Sequence, residues 1–246
     1  MDVLILLYTS LVWLFGGFVN GVTSFGGNMV AVPLLSLVMD PRHAIIFACL
    51  TGTAITVSLA VLYRSSLPKR EFVLVCLSSA VGVIPGLWML KVASAELLLF
   101  MAGTILSAFL LWQFIGSRLR REWRIPMWCI IPMGVISGFM LGSTGMGGPV
   151  MAAYAVLRRW TKEETIAILN TVAAISMIFL IFLQWKQGLY TPAILEGSAW
   201  GIPCCVVGVL LSIPVVHRIN TQSFRRCLLA MLAFSALMLF YRSLGW

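Results

Sequence analysis

The chain has 246 residues, of which 61% are hydrophobic and 10% charged, with a mean hydropathy of +1.01 and a formal net charge of +9. A soluble domain of this length has too little interior for so much apolar surface, which excludes a soluble enzyme or binding module and calls for an all-α polytopic membrane protein embedded in a lipid bilayer. The 17 Lys and Arg are scattered among short stretches between apolar runs, the distribution of a topology signal and not of a nucleic-acid surface.

In chain order, runs with no charged residue extend over Val3 to Met39, Ala44 to Tyr63, Phe72 to Leu90, Leu97 to Ser117, Ile125 to Leu157, Thr165 to Trp185, Gly197 to Val216 and Cys227 to Tyr241. Most have the roughly 20 residues that one helix needs to cross a bilayer, and alternation suited to a barrel is absent. The first run has no basic residue ahead of it and exceeds a signal-peptide core, so it reads as retained structure. Two runs are too long for a single crossing, the first with 37 residues and the fifth with 33, and each is interrupted by a glycine cluster.

Laid together at an offset of 121, G-F-V-N-G-V-T-S-F-G-G from Gly17 and G-F-M-L-G-S-T-G-M-G-G from Gly138 share six identities in eleven positions. Each long run is followed by three ordinary ones. The chain therefore reads as two repeats, residues 1–120 and 121–246, together one transmembrane domain, each a glycine-broken helical hairpin plus three transmembrane helices.

Loop charge supplies the orientation. Basic residues gather at Arg64, Lys69 and Arg70, at Arg118, Arg120, Arg121 and Arg124, at Arg158, Arg159 and Lys162, and at Arg218, Arg225 and Arg226, whereas the loops near Arg42, Lys91 and Lys186 are poor in them. With the rich loops inside, the second long run must enter and return on one side. Three crossings follow each hairpin, so the second repeat is expected upside down relative to the first. The competing arrangement makes each long run one kinked crossing, giving eight spans and parallel repeats.

Irregular backbone at membrane depth is tolerated only where it is buried in protein or lines a polar cavity. The pairs Gly26-Gly27 and Gly147-Gly148 suit positive φ and close approach. A new helix is expected to begin after each pair, with Asn28 as an N-cap in one half and Pro149 as a first helical residue in the other. Two helix starts converging from opposite faces present free N–H groups and partial positive charge, which fits a small anionic substrate. Hydroxyls of Thr23, Ser24, Ser143 and Thr144 can add hydrogen bonds. Thr51 and Asn170 fall ~9 to 15 Å into their spans, near the middle of a ~30 Å core, where Asn170 is either a helix-to-helix bond or a substrate ligand. Gly17, Gly21, Gly138 and Gly142 stand in Gly-x-x-x-Gly spacing and are expected to pack against other helices.

Nothing in the sequence calls for a cofactor, a metal or catalysis. His43 and His217 lie beside loops, no metalloprotease or nucleophile-elbow motif occurs, and the carboxylates stand near span ends, Glu163 and Glu164 opening a helix. The six cysteines lack C-x-x-C spacing and read as packing residues. Oligomeric state is open: a homo-oligomer is possible but not derivable. The function left is transport of a small anion by alternating access, one half rocking against the other around the glycine tips; an anion channel on the same hairpins is the alternative.

The paired motifs G-V-T-S-F-G-G-N-M-V-A-V-P and G-S-T-G-M-G-G-P-V, in two halves of four apolar runs, resemble the sulfite exporter TauE/SafE family of bacterial membrane permeases across essentially the whole chain. Gly145-Met146-Gly147-Gly148-Pro149 follows the family pattern closely; Ser24 stands where glycine is usual, and Asn28 where a third glycine often follows. The resemblance implies a multi-pass protein of the bacterial inner membrane that moves sulfite or an organosulfonate such as sulfoacetate, often outward. Another small organic anion is the alternative substrate.

Overall fold

The computed structural model describes residues 3–67, 69–116, 126–158, 160–216 and 221–244. The basic stretch at 117–125, Arg159 and the segment 217–220, with His217 and Arg218, lie outside the described residues.

The described residues form ten α-helices and no strand: α1 (Val3–Thr23), α2 (Gly27–Leu35), α3 (Pro41–Leu62), α4 (Lys69–Val92), α5 (Ala95–Gly116), α6 (Ile130–Thr144), α7 (Gly148–Arg158), α8 (Lys162–Lys186), α9 (Pro192–Val216) and α10 (Thr221–Ser243). The helices cover the apolar runs, and the two long runs are each divided, between α1 and α2 and between α6 and α7. Local chemistry sets several boundaries. Asp40 Oδ1 accepts from the Arg42 amide (2.8 Å) ahead of Pro41, which starts α3. Thr161 and Glu164 form a reciprocal capping box at the start of α8, so Glu163 and Glu164 do open a helix.

Seven described helices are long and apolar enough to cross a bilayer: α1, α3, α4, α5, α6 with the 3-10 turn before it, α8 and α9. The arms α2 and α7, with 9 and 11 residues, reach only about 14 and 17 Å at ~1.5 Å per residue, half a hydrocarbon core. Large apolar side chains such as Leu77, Trp88, Ile178, Leu210 and Leu237 are exposed on the outside of the bundle. Lipid tails are their natural surroundings.

The packing interlocks the two ends of the chain. The most extensive helix pairs are α4 with α6 and α1 with α9, followed by α5 with α10 and α3 with α8. Glycine makes the first two pairs close: a Cβ on Gly17 would run into the carbonyl oxygen of Cys205 in α9, and one on Gly138 into the carbonyl oxygen of Ser79 in α4. Gly21 meets Ser212 and Gly142 meets the Val83 backbone in the same way, so all four Gly-x-x-x-Gly residues are contact positions. Smaller pairings also come in mates: α3 with α9 and α4 with α8, α2 with α3 and α7 with α8, α2 with α10 and α5 with α7.

One ion pair joins α7 to α4. Arg158, in the last turn of α7, donates to Glu71 in the first turn of α4, where the carboxylate residue is 8% exposed. Burying a charge so far from water is costly unless it is paired in this way.

Candidate substrate site

The break between α1 and α2 occupies Ser24 to Gly26, and that between α6 and α7 occupies Gly145 to Gly147. Each break turns on a left-handed residue, Ser24 at φ 78° and Gly145 at φ 75°, and these two are 121 positions apart. The adjacent glycines do not supply the positive φ expected of them; Gly26 has φ −83°. They permit close approach instead. A Cβ on Gly148 would lie 2.9 Å from the Phe25 Cβ of the other break, and one on Gly27 3.0 Å from the Gly16 carbonyl oxygen.

Between the breaks lies a cavity of about 60 Å³, room for about four to six non-hydrogen atoms at roughly 10–15 Å³ for each water-sized position. Its polar lining comes from Asn20, Ser24, Asn28, Thr56, Ser79, Ser137, Asn170 and Ser176, and its apolar lining includes four methionines, Met29, Met146, Met151 and Met177. Gly52, Thr56, Ser79, Ser137 and Asn170 sit well inside α3, α4, α6 and α8, which places the cavity at mid-height of the spans.

Of the expected site residues, Ser24, Asn28, Gly147, Gly148 and Asn170 line this cavity, whereas Thr23, Gly26, Gly27, Thr51, Ser143 and Thr144 do not. All four of these hydroxyls are already bonded within the protein. Inside apolar helices a Ser or Thr satisfies itself on the carbonyl one turn back: Ser143 donates to Phe139 O (2.7 Å), Thr144 to Met140 O (2.8 Å) and Thr23 to Val19 O (2.8 Å). Thr51 is wholly buried and donates to Ser198 Oγ in α9 (3.2 Å).

Asn28 is not an N-cap. Gly26 occupies that position without any side-chain cap bond, and Asn28, already within α2, donates through Nδ2 to the Gly145 carbonyl (2.9 Å), tying one break to the other. The true cap comes from Asn20, a residue the sequence reading passed over. Its Oδ1 accepts from the Gly27 amide (3.0 Å), and its Nδ2 donates to Asn170 Oδ1 (3.2 Å). Asn170 in turn donates to the carbonyls of Ser24 (3.0 Å) and Ile166 (2.9 Å). Both Asn170 Nδ2 bonds and the bond to its Oδ1 are thus made to protein partners, the arrangement expected of a helix-to-helix bond.

The two helix starts consequently differ. At α2 the Gly26 amide donates to Thr23 Oγ1 (3.2 Å) and the Gly27 amide to Asn20. At α7 the counterpart of Asn20 is Leu141, whose side chain accepts nothing, and among the described residues the Met146 and Gly147 amides donate to no partner. Ser24 adds a donor: it is 7% exposed, lines the cavity, and its hydroxyl has no partner among the described residues.

Among the described residues, helices alone, seven of them apolar spans, surround a small cavity of amides and hydroxyls at mid-height, which is the build of a membrane transporter. The chain belongs to the sulfite exporter TauE/SafE family, which matches residues 9–239. No curated protein and no solved structure gives a match.

Proposed function

We propose that the protein is a secondary transporter of a small sulfur-containing anion, sulfite or an organosulfonate, exporting it across the bacterial inner membrane. The observation that carries this reading is Ser24: a buried residue in the cavity lining, its hydroxyl without a partner among the described residues, on a left-handed backbone that an L-residue adopts only at a cost. The open start of α7, at Gly147 and Gly148, faces the same space, and amides at a helix start favour an anion. Family membership supports an anion of the sulfite class. With no cationic side chain at the site, the ligand is held by dipoles and hydroxyls, loosely enough to be released again.

The same reading takes residues 1–120 and 121–246 as inverted repeats, each a glycine-broken hairpin followed by three crossings. In its support, every larger contact has a mate obtained by moving five helices along the chain, α1 with α9 matching α6 with α4, while α3 with α8 and α5 with α10 map onto themselves. Cysteines introduced beside Ala44 and Lys162 should then label from opposite faces.

The function is tested in proteoliposomes loaded in turn with sulfite, sulfoacetate, taurine, sulfate and lactate. Saturable counterflow of sulfite or a sulfonate is expected. Ionic conductance without saturation would establish the channel alternative, and no flux of sulfite or any sulfonate would overturn the substrate class.

A further inference from the structure

We propose that the cavity selects singly charged anions over dianions of the same size, and that Asn20 is a determinant of that selection. The proposal rests on the anion reading above and concerns charge, which that reading leaves open. The lining residues come from α1, α2, α3, α4, α6, α7, α8 and the two breaks, and none is Lys, Arg, His, Asp or Glu. A bound anion is therefore balanced by dipoles alone.

Each helix start contributes about half an elementary positive charge. Two open starts would approach one full charge, but Asn20 Oδ1 and Thr23 Oγ1 already take the Gly27 and Gly26 amides of α2. Asn20 thus stands in for an anion at the first start. At the second, Leu141 leaves the α7 amides open. The cavity is left with roughly half a charge, the Ser24 hydroxyl, one hydroxyl hydrogen of the Ser79–Ser176 pair, the second Asn28 Nδ2 hydrogen, and apolar side chains of Met, Leu, Ile, Val and Phe that offer no donors.

Born desolvation grows with the square of the charge, whereas attraction to fixed dipoles grows only in proportion to it. Doubling the ligand's charge therefore raises the cost about fourfold and the gain about twofold. Size cannot make the distinction, because sulfate and methanesulfonate have the same number of non-hydrogen atoms and both suit the space. Sulfite offers a built-in comparison. It exchanges between hydrogensulfite and the dianion near neutral pH, whereas methanesulfonate stays singly charged and no titratable side chain lines the cavity.

The test is equilibrium binding of methanesulfonate, sulfite and sulfate to the purified full chain in detergent, by titration calorimetry on both sides of the second ionisation of sulfite. The methanesulfonate Kd should stay constant, while the Kd for total sulfite should rise about tenfold per pH unit above that ionisation, as the competent fraction falls. Sulfate should bind far more weakly than methanesulfonate. In Asn20→Ala, which uncovers the Gly27 amide, the sulfate-to-methanesulfonate gap should narrow about tenfold, the effect of one hydrogen bond to a charged group. A sulfite Kd indifferent to pH, or sulfate binding as tightly as methanesulfonate, would overturn the selection. An unchanged gap in Asn20→Ala would remove Asn20 from it, and the wild-type series needs no variant. Failure of all three ligands to bind would instead overturn the anion site itself.

Discussion

Replacement of Gly148 by alanine probes the contact between the two breaks. An added Cβ would stand 2.9 Å from the Phe25 Cβ and 3.3 Å from its Cδ2, against an ordinary carbon contact of about 3.5 to 4.0 Å. The Phe25 Cβ is fixed to the backbone, and its ring is held edge-on against Phe109 at 5.4 Å between centroids, so the side chain cannot swing aside. The two breaks must separate by about 0.6 to 1 Å, which carries an overpacking cost of about 1 to 3 kcal/mol. That strain falls on the arrangement that brings Ser24 opposite the α7 start. The methanesulfonate Kd should therefore rise about tenfold in Gly148→Ala and further in Gly148→Val, with membrane insertion and a single sharp elution peak retained. Affinity and counterflow within twofold of the parent in both variants would refute the argument that the breaks form one binding unit.

Ser24→Gly should act in opposite directions on stability and binding. Relief of the left-handed strain, about 1 to 2 kcal/mol, less about 0.5 to 1 kcal/mol for glycine's added chain entropy, predicts a higher unfolding temperature. Loss of the cavity hydroxyl should weaken methanesulfonate binding at least tenfold, about 1.5 kcal/mol or more. If both stability and affinity fall together, Ser24 is a structural residue only. Asn170→Leu leaves the Ser24 carbonyl and the Asn20 amide unpaired, and should lower stability by about 1 to 3 kcal/mol. An unfolding temperature equal to that of the parent would show that the Asn20–Asn170 chain holds nothing together.

How much of this was legible before the structure follows from the range of each interaction. The spans were readable because a bilayer imposes a length of about 20 apolar residues on a local stretch of chain. The breaks were readable because a motif repeated at a fixed offset stands out against monotonous apolar sequence. Hydroxyl roles were not: Ser143 and Thr144 look like Ser24 in sequence, and only the backbone decides that the first two sit in a helix and bond backwards, whereas Ser24 sits at the left-handed turn. Asn28 was misplaced because its partner, the Gly145 carbonyl, is 117 residues away. The Arg158–Glu71 pair is also remote, at 87 residues. Asn20 did leave a signal, since it pairs with Leu141 in otherwise similar motifs, and an unlike pair at matched positions marks where two copies have diverged in role.

The interlocked packing bears on which bodies move. Rocking residues 1–120 against 121–246 would have to shear α1 from α9 and α4 from α6, the two seams where glycines bring backbones together. Close-packed interfaces of this kind resist sliding. The seams instead group α1, α2 and α3 with α9, and α6, α7 and α8 with α4, exchanging one helix between the two proposed repeats. Thr51 in α3 bonds to Ser198 in α9, and Ser79 in α4 pairs with Ser176 in α8 (3.0 Å), each within one such body. Between the bodies remain the α3 with α8 contact, where Thr56 Oγ1 lies 3.9 Å from Met177 Sδ, the approach of Phe25 to Gly148, and the Asn28 and Asn170 bonds across the breaks. A short bis-thiol reagent joining Thr56→Cys to Met177→Cys should therefore stop counterflow reversibly, whereas the same link between Thr51→Cys and Ser198→Cys should leave it running, each measured against its own reduced form. Equal arrest by both links would mean that the α3 with α9 contact also opens during transport, and the division of the molecule would have to be drawn elsewhere.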